Sequence, residues 1–200
     1  MPQIREDVLR KALFCIDEVY PDANTLNTAF FPLERFVDEA AMWVVRSVPI
    51  RALGAGSDFT DCDFIPNPDG SGSIYLPQDF VRLIRFRVEG WLRPVTTPIY
   101  DTDARYAQQF NKTLRGGDAH PVVVLCDGNT RLEYFSSMDG EEAALSEALY
   151  FGFLKVDNNY PENLICLTAW KLAELVLSAT HDIQGMQVCG AKITEQIQLL

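Results

Sequence analysis

Asp58, Asp61, Asp63, Asn67 and Asp69 crowd one short stretch of the chain with oxygen-bearing side chains, the donor type a calcium ion prefers. A calcium loop of the helix-loop-helix kind needs oxygens at positions 1, 3 and 5, glycine at 6 and a bidentate glutamate at 12. Placing Gly70 at position 6 puts Ile65 at position 1 and Leu76 at position 12. The pattern fails, and the stretch reads as a solvated turn. His120 and His181 are the only imidazoles. A Cys126, His181 and Asp127 arrangement would supply a thiol with the base it needs to become a nucleophile. No local signature supports it, and Cys126 falls within an apolar strand pattern. These residues point to no metal, no cofactor and no catalytic residue.

The densest basic and aromatic group is Arg82, Arg85, Arg87 and Arg93 with Trp91. On one strand face, such residues would hold single-stranded nucleic acid through stacking and phosphate contacts. The competing reading is that the basic stripe docks on the acidic surface of an identical neighbour. The chain carries 28 acidic and 17 basic residues, a net charge of -11. That balance opposes non-specific binding to phosphate backbones and favours the protein partner. Acidic charge also serves solubility, and a plain solvated sheet face is the blandest reading of the stripe.

The elements that must position this group are legible in part. Residues 5–20 place Val8, Leu9, Ala12, Leu13, Ile16 and Val19 at helical spacing. Pro21 to Asn24 breaks that helix, and Asn24 or Thr25 would cap a second one running to about Ser47. Its stripe is Leu33, Phe36, Val37, Ala40, Ala41, Val44 and Val45. Pro32 marks either its first turn or a break near Phe31. Asn67-Pro-Asp-Gly70 and Asp127-Gly-Asn-Thr130 are turn signals between apolar runs, each predicting a hairpin. Residues 76–83 are expected to bend or form a helical turn. From Ile84 to Trp91, apolar Ile84, Phe86 and Val88 alternate with Arg85, Arg87 and Glu89, which predicts a strand with one wet face.

Residues 100–118 read as a polar loop with one helical turn near 104–110. Ser136 to Gly140 is another turn. Residues 141–149 carry helix formers, and 148–156 is either a strand or irregular. From Pro161, Leu164, Leu167, Trp170, Leu172, Ala173, Val176 and Leu177 line a helix ending near 180–182, and Met186, Cys189, Ile193 and Ile197 suit another. The fold class is therefore α+β in a single domain of 1–200. Helices at about 5–48 and 161–198 form a small bundle, and about 58–156 is a β-rich insertion.

Five dispersed cysteines without a CxxC pair suit a reducing compartment. No stretch reads as a signal peptide or as a membrane span, so cytosolic synthesis is expected.

Ile74-Tyr-Leu-Pro-Gln-Asp-Phe-Val-Arg-Leu83, leading into a strand that ends in Trp91 and Pro94, resembles the "LP-x-D-F-x-R" passage of the head–tail connector proteins of tailed bacteriophages. The tail-tubular-protein-A-like group is the nearest in character. Tyr160-Pro-Glu-Asn-Leu164, opening a helix with Ala169-Trp-Lys-Leu-Ala173, is similar to that family's closing helix. The resemblance implies a virion structural protein without enzyme activity, made in the bacterial host cytoplasm. It would form a homo-oligomeric ring, commonly of twelve copies, between the portal protein and the tail proteins, with genomic DNA passing through. Arg82 matches the family passage; Arg85, Arg87, Trp91 and Arg93 are interface candidates from chemistry alone. Two other classes remain open: a cytosolic ligand- or peptide-binding module, possibly an enzyme with a cleft, and a single-stranded nucleic-acid binder using the Arg82 to Trp91 strand.

Overall fold

The computed structural model describes residues 3–19, 33–136, 143–157 and 159–200. The predicted break and cap at 21–25, the helical extension before Leu33, and most of the 136–140 turn lie outside them. The fold is α+β, and its packing separates into two compact units: Met1–Gly54 with Phe153–Leu200, and Ala55–Gly152.

The helical unit is built from both ends of the chain. Helices α1 (Gln3–Val19), α2 (Leu33–Ser47) and α5 (Ile183–Leu199) all pack on α4 (Glu162–Ala179). The sequence explains why α4 is central. Its buried residues include Leu164, Ile165, Leu167, Ala169, Trp170, Leu172, Ala173, Val176 and Leu177, which together leave it little polar surface. The flanking helices each bury one stripe, such as Val8, Ala12, Cys15 and Ile16 of α1, or Val37, Ala40, Ala41, Val44 and Val45 of α2. The one buried hydroxyl of α4, Thr168, donates to the Leu164 carbonyl and shares a 2.6 Å bond with the Tyr160 hydroxyl. At the α4 C-terminus the Asp182 amide bonds the Leu177 carbonyl and the His181 amide bonds that of Ser178, with His181 in the left-handed region at φ 59°. This six-to-one and five-to-two pair is a Schellman closure. The Asp182 side chain then accepts from the Gly185 amide and caps α5.

The β unit holds two sheets. Strands β1 (Ser57–Asp58), β4 (Phe80–Val88) and β8 (Leu145–Gly152) form an antiparallel sheet in the order β1-β8-β4. Strands β2 (Phe64–Pro66), β3 (Ser71–Tyr75), β5 (Ile99–Tyr100), β6 (Val122–Cys126) and β7 (Arg131–Phe135) form the second, in the order β2-β3-β7-β6-β5, with β5 parallel to β6. Residues of both sheets share one core: Leu83, Phe86, Val88, Ala148 and Tyr150 from the first, and Ile74, Val123, Leu125, Leu132 and Tyr134 from the second. The other face of the larger sheet carries Val124, Cys126 and Phe135, against which Tyr106 of the short helix α3 (Ala104–Gln108) packs. Both predicted hairpins form, β2–β3 around Gly70 at φ 81° and β6–β7 around Asp127, Gly128 and Asn129. The helical turn near 104–110 is α3.

Two expectations change. The strand predicted from Ile84 to Trp91 starts at Phe80 and stops at Val88, where Glu89 and Gly90 form a turn. Residues 145–149, rich in helix formers, are strand: cross-strand pairing with β4 outweighs local propensity. The "LP-x-D-F" passage makes the expected bend, and β4 begins at its phenylalanine. The Phe80 amide bonds the Pro77 carbonyl in a tight turn, the Asp79 carboxylate accepts from the Tyr150 hydroxyl at 2.8 Å, and the Phe80 ring stacks on Tyr150 at 5.7 Å. This clamp sits at Phe80↔Gly152, the register pair at which β8 ends and the chain leaves the β unit.

A Cβ added at Gly152 would press on the Asp79 carboxylate and force it to shift from its bond with the Tyr150 hydroxyl. Gly152→Ala is expected to lose about 1–3 kcal/mol of stability through overpacking or loss of the Tyr150 bond. Denaturant unfolding followed by tyrosine fluorescence measures this, and an unchanged midpoint would remove the clamp.

Candidate functional site

Strand β4 brings the arginines together by means that spacing alone does not supply. In a regular strand Arg82 and Arg85, three apart, would point to opposite faces. The register steps at Leu83/Arg85, so that Arg82 pairs with Phe151, Arg85 with Leu149 and Arg87 with Glu147. The extra residue of this bulge returns Arg82 to the face of Arg85 and Arg87, while Leu83 and Phe86 enter the core beside Tyr150 and Ala148. The predicted alternation holds: Ile84, Phe86 and Val88 are buried and Arg85 is exposed.

On that face Glu147 serves two cations. Arg85 Nη1 lies 3.0 Å from one of its carboxylate oxygens and Arg87 Nη1 lies 3.4 Å from the other. The hydrogen bond from Arg85, then that from Arg87, holds the Glu147 carboxyl below its ordinary pKa. Arg87 also donates from Nε and Nη2 to the Trp91 carbonyl at 3.1 and 2.9 Å, which fixes the turn after β4. Arg82 is half-buried, and burial lowers its pKa. Arg85 keeps about half of its side-chain surface in solvent (49%). Glu147 has no place in the sequence reading, because a glutamate among helix formers carries no signal of its cross-strand partners.

Trp91 does not join this surface. Only 1% of it is exposed, and it packs edge-on to Phe86 and Tyr134 in the β core. The expected stacking platform is therefore a core residue, turned inward by Gly90 at φ 84°. Arg93 is exposed on the following segment, against His120 Nδ1. That contact, like the left-handed His181 at the α4 terminus, gives each imidazole a structural setting.

The candidate nucleophile and the candidate ligands Asp58, Asn67 and Asp69 are likewise engaged within the fold. Cys126 is buried in β6 and burial raises its pKa, while Asp127 pairs with Arg131 at 3.1 Å and His181 belongs to the other unit. In the helical unit, burial pushes Cys15 and Cys189 up to about 12, which leaves thiols rather than thiolates near neutral pH. Asp58 accepts from the Thr60 amide and hydroxyl, and Asp69 from those of Ser71, so both aspartates build turns. Among the described residues no group of three or more His, Cys, Asp or Glu could hold a metal ion. No described helix is long and apolar enough to cross a membrane.

A cleft of about 650 Å³ opens in the β unit, lined among others by Leu92, Leu114, Arg115, Gly116, His120 and Val122. Its arginine is already engaged: Arg115 bonds the Asp69 carbonyl at 2.7 Å, the Asp69 carboxylate at 3.0 Å and the Gln109 carbonyl at 3.2 Å, leaving 7% of its side chain exposed. No family model matches this chain, and no curated protein matches it.

Hydrogen bonds from the Ser71 hydroxyl, and beyond it from Arg115 and the Ser71 amide, hold Asp69 at about 2 against the opposing effect of partial burial. A depressed folded-state pKa contributes stability above the unfolded value of about 4, and that contribution is lost as pH falls through about 2. The wild type is therefore expected to lose stability from about pH 4 to about pH 2 more steeply than Asp69→Asn, as read from denaturant midpoints. Because the pair is 40% exposed on the carboxylate side, its ionic part is held to under about 1 kcal/mol. Parallel pH profiles would exclude Asp69 as a contributor.

Proposed function

We propose that this chain is a structural subunit of the head–tail junction of a tailed bacteriophage. Its copies form a ring that joins the portal protein to the tail proteins and lets genomic DNA pass. The observation that supports this most is the organisation of the chain. Both of its ends fold into one helical unit, and a separate β unit is inserted between Gly54 and Phe153. Such an arrangement gives each subunit two bodies with different surfaces, which suits a part that must meet copies of itself and two unlike neighbours at once. The passage that carries the resemblance occupies a structural position in keeping with it: Asp79 and Phe80 clamp β4 to β8 where the insertion closes.

The electrostatics fit a passive conduit. A chain of net charge -11 repels the phosphate backbone at long range, so DNA would slide past without being held. The nucleic-acid-binding reading loses its aromatic platform with Trp91 in the core, although the arginines stay in place. The ligand-binding reading gains little from a cleft whose Arg115 is tied to Asp69 and Gln109.

The test is electron microscopy and light scattering of concentrated protein, alone and with the portal protein encoded beside it. Rings, or a monomer that joins the portal, are the expected outcome. Monomers that stay free at every concentration and ignore the portal would overturn the proposal.

A further inference from the structure

Going beyond that reading, we infer that residues 54–55 and 153–155 form a double hinge on which the β unit turns against the helical unit. The division between the units falls after Gly54 on the way in and before Phe153 on the way out. Ser57 of β1 pairs with Tyr150 of β8, and counting three residues outward from that pair brings Gly54 level with Phe153. Both crossings therefore leave the same end of one ladder.

Each crossing is anchored on both sides, and the anchors leave little chain between them. On the helical side of the entry, Arg51 donates from Nε to the Leu200 carbonyl at 3.1 Å, Asn163 donates to the Ala52 carbonyl at 3.0 Å, and Leu53 is buried. On the β side the backbone is pressed in again at Gly56, where a Cβ would collide with Ile84 and the Tyr150 carbonyl. Only Gly54 and Ala55 lie between. The exit is fixed at Gly152, which pairs with Phe80, and again at buried Val156 and Tyr160, whose hydroxyl shares a 2.6 Å bond with Thr168. Phe153, Leu154 and Lys155 cross the interval outside any helix or strand.

The residue types suit such a joint. Gly54 stands at φ 92°, a conformation open to glycine that strains a residue with a side chain. Among the described residues no atom lies within 4 Å of where a side chain at Gly54 would begin. Ala55 is small and exposed. Hinges are a few residues of this kind at the ends of elements, absorbing changes in φ and ψ while the bodies on either side keep their packing. In a subunit with two bodies, the joint lets each take the orientation its own neighbour favours.

Gly54→Ala tests the hinge, because alanine at φ 92° is strained and has two ways to respond. With a free joint it relaxes to negative φ, and the units reorient without loss of packing in either. With a locked joint the strain stays and shows only as lost stability. Double electron–electron resonance reads the distance between the units in the isolated full chain, with spin labels carried by introduced keto amino acids at the exposed positions Asp61 and Glu195. Gly54→Ala is expected to shift the mean distance and to leave the denaturant midpoint as in the wild type. Gly56→Ala, in the wedged position, is expected to lower the midpoint and leave the distance where it was. A distance that does not move in Gly54→Ala, or that moves equally in Gly56→Ala, overturns the hinge. The measurement needs neither ring nor portal, so its failure leaves the connector reading standing, and a chain that never assembles leaves the hinge standing.

Discussion

The pairing of β4 with β8 is the contact on which the rest of the β unit depends. It joins residues some sixty to seventy positions apart, from Arg87↔Glu147 to Phe80↔Gly152, and so closes the inserted segment into a unit of its own. Closing so long a loop carries an entropic cost that grows only slowly with length. The return comes at once, since the same pairing buries Leu83, Phe86, Ala148 and Tyr150 against the second sheet. It also fixes the exit of the insertion, through Asp79, Phe80, Tyr150 and Gly152, and the entry lies beside it because Ser57 of β1 pairs with Tyr150. The helical unit poses the same problem, because α1 and α2 bury their stripes chiefly on α4, which arrives after the whole β unit has been made. Neither helix pair is complete without the other end of the chain.

Local signals carried the elements that local chemistry decides. The helical periods of α1, α2, α4 and α5 and the turn residues around Gly70 and Gly128 were all legible, because each depends on neighbours within a few positions. What escaped was decided at a distance. The first half of β8, 145–149, reads as helix by composition and is a strand because β4 offers it partners, whereas from Ala148 onward strand is one of the two readings. Strand β5 is two residues long and parallel, with no periodicity to read. Of the five interface candidates, Arg85 and Arg87 could be placed on one face from alternation, and Arg82 joins them only because a bulge shifts the register. Trp91 continues the alternation on paper, yet Gly90 ends the strand and folds the indole into the core. Arg93, beyond that turn, ends up beside His120.

The same long-range decisions strip the tempting chemical groups of their reactivity. A thiol becomes a nucleophile by gaining a nearby cation or base, whereas Cys15 and Cys189 gain apolar walls that favour the neutral form. A carboxylate cluster becomes a metal site when its oxygens converge, whereas Asp58 and Asp69 each turn their oxygens to hydroxyls and amides two residues ahead. Arg115 would be the natural anion binder of its cleft, but it crosses to the 67–70 turn and holds it. Each shift has a structural cause and a structural use.

Charge then sets the terms on which two such chains can approach. At a net charge of -11 they repel while far apart, and a small attractive patch is invisible at that range. Near physiological ionic strength the Debye length is about 8 Å, which screens repulsion between molecular centres but only weakly affects ion pairs in contact. Under these conditions the sign of the local patch outweighs the sign of the whole molecule. An arginine such as Arg85, half exposed and sharing the Glu147 carboxylate with Arg87, is where an approaching acid would gain, since Arg87 already holds Glu147 in place and little ordering remains to be done. At lower salt the range of the repulsion lengthens toward the size of the subunit and opposes encounter, while at higher salt the patch itself weakens. Assembly driven by local charge on an acidic chain therefore has an optimum in ionic strength, and a chain held together by apolar contact alone would strengthen steadily as salt rises.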